Sequence, residues 1–139
     1  MPKLPFKILG IEHVGIAVED LNSISEIFGE LLGLDLQLSE NVDDQQFITD
    51  FYHAGKDKLE FLKATSPDSP IAKFLGKRPE GMHHIALIVD NIQSALNYLN
   101  ENDVQLIDKS PRIGAEGFKI AFIHPKSTGG VLVELCEKQ

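Results

Sequence analysis

The chain has 139 residues, 42% hydrophobic and 24% charged, the proportions of a soluble globular protein long enough to bury a core. Thirteen Lys and Arg against 21 Asp and Glu leave a net charge of −8, which excludes a general nucleic-acid binder as the expected class. No apolar stretch approaches a membrane span, "MPKLPFKILGIEHV" has no segment of signal-peptide type, and Cys136 is the only cysteine; no membrane association and a cytoplasmic location are expected.

The charges are unevenly spread. Between Ile8 and Gly55 there is no Lys or Arg, whereas ten of the thirteen basic residues lie between Lys56 and Lys126. Most of these charges read as two solvated surfaces of different sign; the sharper reading is an anionic ligand on the side built by the later segment.

In chain order, 11–18 reads as an apolar, β-branched strand that ends at the acidic turn Glu19-Asp20. Leu21, Ile24, Phe28 and Leu31 then follow helical spacing. Short strands are predicted at 34–38, roughly 45–53 and 58–63, with Gly55 marking a turn. The stretch "KATSPDSPIAKFLGKRPEG" reads as a connector holding a helix at about 70–76. A strand at 82–89 follows, then the turn Asp90-Asn91 and a helix with Ile92, Ala95, Leu96 and Leu99 on one face. Strands are predicted at 104–107, 118–123 and 131–136, the last preceded by Gly129-Gly130.

This order repeats. "IEHVGIAVEDLNSISEIFGELLGL" resembles "MHHIALIVDNIQSALNYLNENDVQ" at an offset of 71 residues, setting His13 on His84, Val18 on Val89 and Phe28 on Leu99. The fold class is thus α+β, with a βαβββ module used twice. Neither half, at about 70 residues, suffices for a good core. The expected organisation is one duplicated domain: module one at about 8–64, a connector at about 65–80, and module two at about 81–137.

Strand alternation separates the adjacent histidines of "GMHHIALIVD". His84, Ala86 and Ile88 share a face, opposite His83, Ile85, Leu87 and Val89; in the first copy His13, Gly15 and Ala17 share the equivalent face. Small neighbours beside a polar group leave room for a metal, a water or a ligand. The last strand of each module adds a carboxylate, Glu60 in "KLEFLK" and Glu134 in "GVLVELCEK", each among apolar residues. An ionised carboxylate in such a place is costly unless it is paired or ligates a metal. Two imidazoles and two carboxylates neutralise one divalent cation and suit Zn, Mn, Co, Ni or Fe.

Over almost its whole length the chain resembles the vicinal oxygen chelate superfamily of glyoxalases and dioxygenases, and within it the methylmalonyl-CoA epimerase family. "IEHVGIAVEDL" and "GMHHIALIVDNIQSAL" occur widely in the superfamily; "SPDSPIAKFL", "LIDKSPRIGAEG" and "FIHPKSTGGVLVEL" are more selective. The resemblance implies paired modules forming an eight-stranded cup around one metal site, with His13, Glu60, His84 and Glu134 as ligands. It also implies one divalent ion (Co, Mn, Ni or Zn), an acyl-CoA substrate and a homodimer. The implied reaction removes a proton at C2 of methylmalonyl-CoA and returns one to the opposite face, through a metal-stabilised enolate.

Glu134 is the first base this resemblance offers. Some members carry a second glutamate on the strand aligned with "QQFITDFYHAG", at the place that Thr49 holds here. Asp50 beside it faces the other way unless a bulge re-aims it, so Glu60 is preferred as the second catalytic carboxylate. Thr49, Lys126 and Ser127 are the expected substrate-binding residues, with Arg112 and Lys119 near in sequence as further cations for CoA phosphates. Three alternatives use the same scaffold: a glyoxalase I-type lactoylglutathione lyase, an extradiol dioxygenase, and a non-enzymatic small-molecule-binding protein.

Overall fold

The computed structural model describes residues 3–139, which divide into two compact units. One is His13–His83; the other joins the residues up to Glu12 to His84–Gln139.

In the first unit, the part of strand β1 (Ile8–Ala17) from His13 on buries His13, Gly15 and Ala17 and leaves Val14 and Ile16 half-buried, as alternation requires. Asp20 caps helix α1 (Leu21–Ile24), its carboxylate accepting from the Asn22 N–H at 3.0 Å. The helix then widens into a π-helical stretch, Ser25–Leu31, closed by the Leu32 N–H donating to the Ile27 carbonyl at 2.8 Å. A wider turn drifts away from a 3.6-residue stripe. Leu21, Ile24 and Phe28 accordingly pack on Val18, Tyr52 and Phe61, while Leu31, which the stripe placed inward, is 71% exposed.

Three antiparallel strands follow: β2 (Leu36–Val42), β3 (Phe47–Ala54) and β4 (Asp57–Ala64). Gly55, at φ +67°, makes the tight turn between β3 and β4. β2 begins and ends later than the 34–38 expected for it. Leu34 packs under α1, Gly33 turns the chain at φ +73°, and the strand continues through polar Ser39, Glu40 and Asn41. These polar residues hid the strand from an apolar pattern, because β2 pairs on one side only, with β3. β4 runs parallel to β1, with Gly15 opposite Glu60 and Ala17 opposite Leu62. Helix α2 (Pro70–Lys77) starts where expected, with Ser69 accepting from the Ile71 N–H and Pro70 in its first turn. Its Ile71, Phe74 and Leu75 pack on Ala17 and Leu62.

The second unit repeats the plan. Strand β5 (Gly81–Val89) leads to helix α3 (Ile92–Glu101), capped by Asn91, whose side chain accepts from the Ser94 N–H at 3.0 Å. Ile92, Ala95 and Leu96 are buried and pack with Val89, Ala121, Ile123 and Leu135, so this helical stripe holds as read. The strand expected at 104–107 does not form. Only Leu106 bridges, to Ile123, and the Asp108 carboxylate takes the Phe122 N–H at 2.9 Å that a continuing ladder would use. Pairing resumes at β6 (Arg112–Ile113), antiparallel to β7 (Lys119–Ile123), which is antiparallel to β8 (Val133–Glu137). β8 is parallel to β5, with Ala86 opposite Glu134.

Hydrogen-bonded neighbours give an eight-stranded sheet of order β2-β3-β4-β1-β5-β8-β7-β6, and the element order is β-α-β-β-β twice, with α2 between. In each copy the residue two beyond the histidine, Gly15 or Ala86, pairs with the glutamate.

Candidate metal centre

Because partners across a ladder share a face, β1 and β4 present His13 and Glu60 together. Nε2 of His13 lies 3.1 Å from Oε1 of Glu60, and both side chains are buried. Phe51, opposite Glu60 on β3, packs edge-on to the His13 ring at 5.6 Å between centroids. Thr49, one step further along the same face of β3 and fully buried, donates its hydroxyl to Oε2 of Glu60 at 3.0 Å. Lys58, opposite His13, is buried with its ammonium 5.5 Å from the centre of the Phe51 ring.

The second unit builds the same frame. Nε2 of His84 lies 3.2 Å from Oε1 of Glu134, again with both buried. Phe122, opposite Glu134 on β7, stands edge-on to His84 at 6.0 Å. The Arg112 guanidinium lies 5.6 Å from the centre of that phenyl ring. Buried Cys136 follows Glu134 on the same face of β8, opposite Ile88.

Each couple sets an imidazole nitrogen and a carboxylate oxygen side by side, the two donor types that a divalent metal ion takes. The donor chemistry fits. Two donors on one ion at bonds of about 2.0–2.1 Å stand roughly 2.9–3.4 Å apart in octahedral or tetrahedral geometry, and the two His–Glu separations are 3.1 and 3.2 Å. An ionised carboxylate buried in this way is costly unless it is paired, and in each unit the imidazole beside it is that partner.

The remaining expected residues divide. Asp50 lies on the other face, pairing with Phe61 and accepting from the Ser39 hydroxyl, and the β3–β4 register runs unbroken from 47 to 54, so no bulge re-aims it. Lys126 is exposed in a short 3₁₀ turn whose backbone is held by His124; the Ser127 hydroxyl accepts from the Gln105 N–H at 2.9 Å. Lys119 lies 4.0 Å from Glu137. His83 is half-buried and stacks edge-on with Phe74 of α2 at 5.0 Å, a packing role. Phe51, Phe122 and Lys58 were missed by sequence reasoning. Lys58 was available as the residue two before Glu60 on an alternating strand, whereas the two phenylalanines needed the strand register.

Residues 12–122 match the glyoxalase/bleomycin resistance protein/dioxygenase superfamily. A mitochondrial methylmalonyl-CoA epimerase of Dictyostelium discoideum is 40% identical over 129 residues, covering 92% of this chain and 78% of that one. The crystal structure of methylmalonyl-CoA epimerase from Mycobacterium tuberculosis superimposes with a TM-score of 0.90 at 34% identity, covering 95% of this chain and 89% of that one. A methylmalonyl-CoA epimerase in complex with methylmalonyl-CoA and NH4+ gives the same TM-score at 30% identity, covering 95% and 96%. The chain belongs to the glyoxalase/bleomycin resistance protein/dioxygenase superfamily and, within it, to the methylmalonyl-CoA epimerase family.

Proposed function

We propose that the protein is a metal-dependent isomerase that interconverts the 2R and 2S forms of methylmalonyl-CoA. The observation that carries this reading is the pair of buried His–Glu couples, 3.1 and 3.2 Å apart, in a chain whose relatives bear that name. His13, Glu60, His84 and Glu134 hold one divalent ion, with Co, Mn, Ni or Zn the metals suited to this donor set. When bound, the ion supplies compensation for the negative charge that develops on the thioester oxygen.

Glu134 and Glu60 are the proposed proton carriers. One carboxylate takes the C2 proton, and the other, already protonated, returns a proton to the opposite face of the same carbon. Phe51 and Phe122 wall the two couples with apolar rings and keep bulk water from the carboxylates. Lys126 and Ser127, with Arg112 as a further cation, are proposed contacts for the CoA moiety, whose phosphates need cationic or N–H donors.

The two units are proposed to work as one duplicated domain, and the protein as a cytoplasmic homodimer. Leu4, Ile8, Leu9 and Ile11 are exposed large apolar side chains that a second copy would cover. Among the described residues no helix is long and apolar enough to cross a membrane. Sedimentation tests the dimer.

The deciding experiment incubates metal-loaded protein with methylmalonyl-CoA in D2O and follows the C2 proton by NMR. Loss of that signal at an enzymatic rate is expected. No exchange, together with turnover of the hemithioacetal of glutathione, would assign the lyase instead.

A further inference from the structure

The geometry points to Thr49 as the residue that positions the Glu60 carboxylate for metal binding, rather than as a contact for substrate. The inference rests on the metal-site reading above and concerns what keeps one of its ligands in place.

A glutamate has three rotatable bonds, so a ligating carboxylate on an isolated strand position samples many orientations. Here two contacts define its plane. Oε1 faces Nε2 of His13 at 3.1 Å, and Oε2 accepts the Thr49 hydroxyl at 3.0 Å. The hydroxyl comes from the adjacent strand, one ladder step beyond Phe51, the direct partner of Glu60. Both ends of this hydrogen bond are buried: Thr49 is 0% and Glu60 3% exposed. A β-branched threonine on a strand is held at χ1 by its own backbone, so it offers a donor of fixed direction. Hydrogen bonds from outside the ligand shell orient ligating carboxylates and contribute to metal affinity.

The same geometry removes Thr49 from the substrate surface. It has no accessible area, and its single hydroxyl proton is directed at Glu60.

The test compares Thr49→Val, which keeps the shape and removes the donor, with Thr49→Ser, which keeps the donor. Co2+ affinity is measured by competition with a chromophoric chelator, beside the visible spectrum of the bound Co2+. The expected result is a loss of about ten- to a hundredfold in affinity for Thr49→Val, an altered Co2+ spectrum, and near-complete recovery of both in Thr49→Ser. Thr49→Ala gives the same reading should the valine variant be insoluble. Equal Co2+ affinity and spectrum in the donor-less variants overturn the inference, as does an equal loss in Thr49→Ser, or wild-type protein that takes up no divalent ion. The readout needs no acyl-CoA. Metal binding weakened by Thr49→Val and rescued by serine, in a protein that exchanges no C2 proton, would sink the epimerase reading and leave this one standing.

Discussion

The two His–Glu couples are copies of one frame set in different surroundings. In each, a histidine on the first strand of a module meets a glutamate on the last, and a phenylalanine opposite that glutamate stands edge-on to the imidazole. Around Glu60 the neighbours are polar: the Thr49 hydroxyl on its second oxygen and buried Lys58 two residues back on the same face. Along the face that carries Glu134, buried Cys136 stands two residues on, opposite Ile88. Duplication thus fixes where the donors stand, and later substitution decides how firmly each carboxylate is held. A carboxylate clamped in this way suits a ligand, because its oxygens are already oriented.

The largest expected effect removes the histidine of one couple. His84→Ala should weaken metal binding by more than the ~10²-fold that loss of an outer contact costs, and should abolish C2 exchange. Metal analysis of the purified variant checks it; a full complement of tightly held ion would show that His84 is no ligand.

The next test separates the two carboxylates. Glu134→Gln should lower the rate of C2 exchange by about 10²–10⁴-fold, the range for loss of a general base. Glu60→Gln keeps an oxygen donor for the ion but carries no proton, so its loss should be as steep; a much smaller loss would show that Glu60 is a ligand only. C2 exchange followed from each separate epimer in D2O separates the faces: a variant that exchanges the proton of one epimer without epimerising it keeps the base on that face and has lost the other.

Smallest in effect are the aromatic walls, read as stability. Phe51 is fully buried, and Phe51→Ala should cost about 3–5 kcal/mol. Half-buried Phe122 should cost less in Phe122→Ala, about 1–3 kcal/mol, since less apolar area returns to water. Chemical denaturation of the two variants measures both, and a larger loss at Phe122 would contradict the burial difference.

The two buried His–Glu couples were legible because alternation and an internal repeat are properties of sequence order. His13 and His84 could be separated from Glu12 and His83 by period-two facing alone. Two strand limits were not legible. Asp108 displaces a ladder bond with its side chain, moving the sixth strand to Arg112–Ile113, and the polar run of β2 is stabilised by pairing with β3 rather than by an apolar pattern. The outward swing of Leu31 followed from a π-helical widening that a 3.6-residue period does not register.

By itself, then, the sequence determined the doubled βαβββ order, the shared face of the histidines and glutamates, and the placing of Asp50 on the opposite face from Thr49, because these depend on local periodicity and on copying within the chain. Only the tertiary structure decided that Phe51 and Phe122 wall those residues and that Thr49 reaches Glu60. Those contacts depend on cross-strand register, which joins residues far apart in sequence and is set by the turns, the bulk of the core and the pairing of whole strands.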